Sequence, residues 1–347
     1  MLYQLLSNCL AIGLCTLISL TFASPLSYAK PSLSEYNFFK EPIAKHIPNE
    51  NVLPYSIPTP LFSDYSYKAR FIVLPDNKKA NYIDENNIEF PIGTTIIKTF
   101  YYPQDFRYPE NNWTIIETRL LINTLEGWIG YPYIWNAEQT DAYLEIAGGR
   151  KDVSWINSKG RSHSINYKIP NFNMCKDCHV KNNIVQPIGP KPRNLNTVNT
   201  YDNISQNQLE KMIAYNIIEN VPDLDSIITT AKWDDDNFSL NDRAMAYLDI
   251  NCAHCHNHQG PASTSGLFLD YHETDRKKLG IYKSPIAAGR GSGGLLFNIV
   301  PGEPDESIFI FRMESTDPGI LMPESGRQIV HQEGVELIKE WIKSIKN

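Results

Sequence analysis

The sequence lacks several features that define whole classes of protein. Its 347 residues carry 32 Lys and Arg against 39 Asp and Glu, a formal net charge of −7, so the basic balance typical of nucleic-acid-binding proteins is missing. No apolar run reaches the roughly 18–20 residues that a membrane-spanning helix needs. Glycine (19 residues) and proline (23 residues) are too few for a collagen-like or low-complexity chain. We therefore expect a mildly acidic globular chain of about two domains with no nucleic-acid partner.

The first 29 residues predict a signal peptide. An apolar stretch from Leu10 to Ala23 precedes the small residues Ser27 and Ala29, which match positions −3 and −1 of a signal-peptidase site. No lysine or arginine precedes the apolar stretch, which leaves an uncleaved anchor as the alternative. We expect residues 1–29 to be removed, leaving a periplasmic protein with no stable membrane span.

Cysteine is scarce outside two short motifs. Cys9 and Cys15 lie in the predicted signal peptide, and the other four form C-K-D-C-H at 175–179 and C-A-H-C-H at 252–256. C-x-x-C-H is the attachment sequence of c-type haem, because two thiols at this spacing reach both vinyl groups and the adjacent histidine reaches the iron. We predict two covalent haem c groups. The predicted attachment residues are Cys175, Cys178, His179, Cys252, Cys255 and His256.

The same four cysteines have two alternative interpretations. Two C-x-x-C pairs could bind one structural zinc ion, or form two redox-active dithiols or disulfides in an oxidising compartment. Neither alternative requires a histidine directly after each pair, whereas haem attachment does. Cells attach haem c outside the cytoplasm, so the predicted signal peptide and the two motifs support each other.

The residues around the second motif follow the order of a small helical domain. A capping box at 239–242 begins a helix that leads into C-A-H-C-H, and apolar residues recur at helical spacing over 335–345. Met322 and Pro323 lie in a loop between them. In this order, residues 239–347 resemble class I cytochrome c, which is an all-α domain.

That resemblance implies two axial ligands for the second haem. His256 matches the proximal ligand and Met322 the distal one, while Met313 is the alternative distal ligand. With both axial positions filled by protein, the iron could not bind a substrate, and this haem would only carry electrons.

Residues 30–200 predict a β-rich domain that ends with the first motif. β-branched and aromatic runs between turn residues predict strands at 70–75, 95–101, 114–122, 128–135 and 142–147. In the third run, apolar residues alternate with Glu117 and Arg119, as expected for an antiparallel sheet with one covered face. A helical stripe that begins at Leu209 predicts a helical connector over 201–238. The predicted fold class is α+β, with an N-terminal antiparallel β-rich domain followed by an all-α cytochrome c-like domain.

Two further resemblances concern the β-rich part and the whole chain. A β-rich domain before C-x-x-C-H, with F-P-I-G-T-T-I-I-K at 90–98, is loosely similar to cytochrome c′-beta and its relatives with a haem–lysine cross-link. This similarity singles out Lys98, although a strand lysine otherwise predicts a solvent-facing side chain. Together, P-L-F-S-D-Y (60–65), I-E-T-R-L (116–120), P-I-G-P-K-P-R-N-L-N (187–196) and both motifs resemble exported bacterial dihaem c-type cytochromes.

The family resemblance implies electron transfer to or from a redox partner protein. The distal ligand of the first haem stays open between Met212, His163 and no protein ligand. A closed first haem predicts an electron carrier without catalytic residues. An open one predicts a dihaem oxidoreductase that reduces peroxide or a nitrogen oxide, with the second haem as relay. We favour the carrier, because no acid–base constellation accompanies either motif.

Three other side chains belong to the predicted surroundings of the second haem. His254 and His258 flank His256 and are expected to be solvated near the haem rim. Arg290, in the glycine-rich loop 288–294, is a candidate partner for a haem propionate.

Overall fold

The computed structural model describes residues 25–201 and 203–346, so the predicted apolar stretch of the signal peptide lies outside the described residues. Strands dominate the first two thirds of the described chain and helices the last third. The strands are β1 (Val52–Pro54), β2 (Tyr67–Val73), β3 (Ala80–Asp84), β4 (Asn87–Glu89), β5 (Thr95–Pro103), β6 (Trp113–Thr124), β7 (Gly127–Trp135), β8 (Ala142–Leu144), β9 (Gly149–Ile156), β10 (Ser162–Ile169), β11 (Val180–Lys181), β12 (Ile184–Val185), β13 (Val198–Tyr201), β14 (Ile204–Asn207) and β15 (Ile218–Glu219). The helices are α1 (Cys175–His179), α2 (Pro192–Leu195), α3 (Gln208–Ala214), α4 (Leu240–Leu248), α5 (Ile308–Glu314) and α6 (Gln332–Ser344).

A six-stranded antiparallel sheet is the centre of the N-terminal part. Its strand order is β1-β2-β5-β6-β7-β8, and each of the five predicted strands overlaps one of its members. The long β6 and β7 form a hairpin closed at Gly127, where a φ of +97° favours glycine. The prediction of an antiparallel β-rich part, and of the α+β class, is confirmed.

Both faces of this sheet are covered, whereas the sequence predicted one covered face. On one face, Phe71, Ile97 and Leu120 pack in a core that also includes residues from the segment before β1. On the other face, Ile96 and Leu121 pack against a second apolar cluster that includes α3. The charged residues of β6 that we expected in solvent therefore lie on an interior face.

The segment 201–238 is less helical than predicted. It contains the seven-residue helix α3 together with β14 and β15. Asn207 caps the first turn of α3 through its side chain, and Asn216 adopts a left-handed φ of 59° just after the helix, which ends the helical path. Leu209 and Met212 of the predicted stripe are buried.

The C-terminal part contains α4, α5 and α6. Ser239 accepts a hydrogen bond from the Asp242 amide at 3.1 Å, which confirms the predicted cap. A π-helical turn, Asp249–Ala253, continues α4 into the second motif, and α6 covers most of the predicted C-terminal helix. Helices α4 and α6 pack on each other in one core. The resemblance of this part to class I cytochrome c stays a prediction.

A buried ion-pair group joins the two parts of the chain. Asp249, at the start of the π-helical turn, accepts from Arg193 at 2.7 Å and from Lys191 at 3.2 Å. Burial alone would raise the pKa of Asp249, but the attraction of these two cations lowers it to about 2. The segment 190–193 (P-K-P-R) therefore holds the π-helical turn that leads into the second motif. Among the described residues, no helix is long and apolar enough to cross a membrane.

Candidate functional site

One cavity receives all seven predicted site residues. It has a volume of about 660 Å³ and lies between the inner face of the six-stranded sheet and the C-terminal helices. Residues of both motifs, 175–179 and 252–256, contribute to its wall. The predicted residues that line it are Cys175, Cys178, His179, Cys252, Cys255, His256 and Met322.

The first motif forms the short helix α1 against strand β7. A methyl group added at Gly130 of β7 would lie 2.9 Å from Cys175 Cβ and 3.1 Å from its Sγ, so glycine permits this close approach. His179 Nδ1 lies 2.8 Å from the backbone oxygen of Gln186, which accepts its proton. This contact leaves Nε2 as the free ring nitrogen, the arrangement that histidine ligands of metals commonly show.

The second motif follows the π-helical turn at the end of α4. His256 Nδ1 lies 3.2 Å from the hydroxyl oxygen of Ser265, so this ring also has its Nδ1 engaged and its Nε2 free. Burial lowers the pKa of His179 and of His256 to about 4. Both imidazoles are therefore neutral at pH 7, which is the form that binds a metal.

The two motifs are in direct contact. Cys255 Sγ lies 3.8 Å from the backbone oxygen of Asp177 in the first motif. His254 lines the same cavity, and its Nδ1 is buried without a hydrogen-bond partner. The expectation of a solvated His254 was therefore wrong, because the adjacent α1 covers this side of the second motif. His258, in contrast, is exposed as expected, and its ring lies against that of Phe268 at a tilt of 33°.

Comparison of the chain with profiles of known protein families, with characterised proteins and with solved structures finds no match. The chemistry of the cavity residues therefore carries the functional argument alone.

The four thiols of the two motifs are half-buried and form no disulfide. The four described cysteines are free, and burial raises the pKa of each, to about 12 for Cys252 and Cys255. A dithiol that acts in redox exchange needs a lowered thiol pKa, so burial disfavours that interpretation. Within residues 25–201 and 203–346, no group of three or more His, Cys, Asp or Glu side chains is placed to hold one metal ion, as a shared zinc site would require.

Met322 and Met313 both line the cavity. Met313 belongs to α5 and is part of the C-terminal core, whereas Met322 lies in the loop before α6 and is half-buried. Arg327 fixes this loop, because its guanidinium donates to the backbone oxygens of Met322 at 2.7 Å and of Met313 at 3.1 Å. Sequence reasoning missed Arg327, which is 8% exposed and carries no motif signature.

The other residues considered as ligands or partners lie elsewhere. Met212 is fully buried in the apolar cluster between α3 and the sheet, and it does not line the cavity. His163 stacks on Trp155 at 5.4 Å between ring centres, on the hairpin β9–β10. Arg290 pairs with Asp317 on the surface at 2.7 Å. None of the three reaches the two motifs.

The cavity fits two haem groups in the chemistry of its donors. Each motif offers two thiols beside a neutral histidine. The unpaired Nδ1 of His254 and the thioether of Met322 lie in the same cavity. Its wall also carries Arg70 and Arg119, which sequence reasoning did not assign to the site, and Lys98, which the loose similarity to cytochrome c′-beta singled out. A signal for them was present in the sequence, since each is a charged residue within a predicted strand.

Proposed function

We propose that this protein is an exported dihaem c-type cytochrome that transfers electrons in the periplasm. The observation that carries the proposal is the convergence of the two C-x-x-C-H motifs in one cavity. If the two motifs had arisen by chance, we would not expect their six attachment residues, from two distant segments, to line the same cavity.

The chain's own residues would hold the cofactors as follows. Cys175 and Cys178 would bond one porphyrin, and Cys252 with the adjacent Cys255 would bond the other. His179, with its Nδ1 bound to the Gln186 carbonyl, would hold an iron through its free Nε2. When bound, haem supplies a one-electron couple between ferric and ferrous iron.

Around the second motif, we propose the class I cytochrome c arrangement. His256 would be the proximal ligand, and Met322 the distal one. The hydrogen bonds from Arg327 to the Met322 carbonyl support this role, because they hold the thioether-bearing loop against the cavity. The net charge of −7 favours a redox partner with a basic surface.

A specific observation favours a second function, a dihaem oxidoreductase. Met212 and His163 are the two distal ligands considered for the first haem, and both lie outside the cavity. If no other side chain closes the first iron, it could bind peroxide or a nitrogen oxide and receive electrons through the second haem.

Spectroscopy of the purified, haem-loaded protein tests both functions. The carrier predicts two low-spin ferric signals by EPR and no change in the reduced absorption spectrum under carbon monoxide. A high-spin ferric signal, or carbon monoxide binding by half of the haem, would favour the oxidoreductase. A protein that carries no haem would refute both.

A further inference from the structure

Three cationic side chains form a row across the sheet. In the strand register, Arg70 of β2 lies opposite Lys98 of β5, and Lys98 lies opposite Arg119 of β6. Residues directly opposite in antiparallel strands project from the same face. All three line the cavity, so the row Arg70–Lys98–Arg119 faces the two motifs.

The row has more positive charge than its surroundings neutralise. Glu117 is fully buried and accepts from Arg119 at 2.5 Å and from the Tyr167 hydroxyl at 2.9 Å. Arg70 is only 8% exposed, and its Nη2 is buried without a hydrogen-bond partner. Lys98 has no carboxylate within ion-pair distance among the residues that the structure describes; its ammonium lies 5.0 Å from the Phe100 ring centre.

Such an arrangement is costly when nothing is bound. Like charges directly opposite in a sheet destabilise it, and a buried charge without a partner costs several kcal/mol. Burial, together with repulsion from Arg70 and Arg119, lowers the pKa of Lys98 well below its usual value. The carboxylate of Glu117 pairs with Arg119 and forms no ion pair with Arg70 or Lys98. An anion in the cavity would remove this imbalance.

We propose that the row Arg70–Lys98–Arg119 is an anion-binding site that takes a carboxylate or a small inorganic oxyanion beside the first C-x-x-C-H motif. The site lies close enough to Cys178 and His179 for the charge of Lys98 and Arg119 to act on both. Guanidinium groups bind carboxylates and oxyanions through paired hydrogen bonds, and Arg70 has a free donor for one.

The anion could have two sources. One is a propionate of a bound haem, which rests on the proposed function. The other is a diffusible oxyanion such as nitrite or sulfate, which does not depend on it. The two share the same recognition chemistry, and the experiment distinguishes them.

The test compares the haem-loaded wild-type protein with Arg70→Gln and Lys98→Gln. Arg150→Gln is the matched control, because Arg150 lies on strand β9, is exposed and stays outside the cavity. Nitrite and sulfate are titrated separately by calorimetry in buffer without competing anions. Resonance Raman spectra record the propionate bending modes, and redox titration records both reduction potentials. Thermal unfolding verifies that each variant folds, and Lys98→Met replaces Lys98→Gln if the latter does not.

A diffusible anion predicts saturable binding to the wild-type and Arg150→Gln proteins, weakened at least tenfold in both row variants. A propionate predicts no such binding. Instead, the row variants would shift the propionate modes and lower the potential of one haem, while Arg150→Gln would leave both unchanged. Row variants that match the control in all measurements would overturn the proposal. If the protein carries no haem, calorimetric titration of the haem-free chain is the only test of the proposal. Anion binding that does not depend on the row, or no binding at all, would then overturn the proposed anion site.

Discussion

Cys255 Sγ lies 3.8 Å from the backbone oxygen of Asp177, so the second C-x-x-C-H motif rests on the first. The two motifs are separated by 72 intervening residues that include five strands and three helices, and neither periodicity nor spacing predicts the contact. If each motif bonds a haem, the two irons share one cavity. Reduction of one iron would then make reduction of the other less favourable, because added charges interact strongly at short range in a weakly polar interior.

Replacing the Met322 thioether tests its role as an axial ligand. We expect Met322→Leu to lower the reduction potential of one haem by about 0.1 V, within the ~0.8 V range that axial ligands span. The other potential should change much less. Redox titration followed by absorption measures both. Met313→Leu is the matched control, since it also removes a thioether at similar volume; the assignment is wrong if Met313→Leu causes the larger shift.

Arg327 should act through the loop that it holds. Its guanidinium donates to the backbone oxygens of Met322 and Met313, so Arg327→Gln leaves buried carbonyls without donors. We expect a loss of about 1–3 kcal/mol in the free energy of unfolding. We also expect carbon monoxide binding at the second haem. Arg290→Gln removes an exposed arginine of the same region and should change neither measurement; equal effects of both variants would exclude a positioning role.

The sequence predicted the sheet well because its strands are long and their β-branched and aromatic runs are bounded by turn residues. The seven site residues predicted from the local patterns C-x-x-C-H and Met-Pro all line one cavity, and their role in binding haem stays a prediction. The sequence placed Lys98 and Arg119 in solvent, because alternation shows which residues share a face but not what covers that face. The prediction of a solvated His254 was wrong for a related reason, because its environment depends on the first motif, more than 70 positions away in the sequence. Arg327 acts through backbone oxygens, which leave no trace in the sequence.

The buried ion pair between Arg193 and Asp249 should be essential for stability. Arg193→Met leaves the Asp249 carboxylate with Lys191, at 3.2 Å, as its one cationic partner, and we expect a loss of about 3–5 kcal/mol in the free energy of unfolding by urea. Asp249→Asn in the same chain removes the uncompensated charge and should recover part of that loss. A double variant as unstable as the sum of both single variants would show that the two residues do not interact.

His46 should make the protein sensitive to acid. Its two ring nitrogens are buried without partners beside Phe39 and Trp135, and burial lowers its pKa from 6.5 to about 4. Between these values the unfolded chain binds the proton and the folded chain does not, so stability falls as the pH falls from 6.5 to 4.

The measurement is the urea unfolding free energy at pH 7 and pH 5. We expect the wild-type protein to lose about 2 kcal/mol more than His46→Phe over this interval. Because His46 has a φ of 49°, the substitution also lowers stability at every pH, so the pH dependence is compared and not the absolute value. The same pH dependence in both proteins would contradict the burial of a neutral His46.

Intact-mass spectrometry of the protein, produced in a host that matures c-type cytochromes, tests the central claim most directly. We predict a chain whose mass includes two haems that survive denaturation. The pair Cys175→Ala and Cys178→Ala should remove one haem, and the pair Cys252→Ala and Cys255→Ala the other. A denatured chain without added haem mass, or a protein that retains zinc and no iron, would contradict the account.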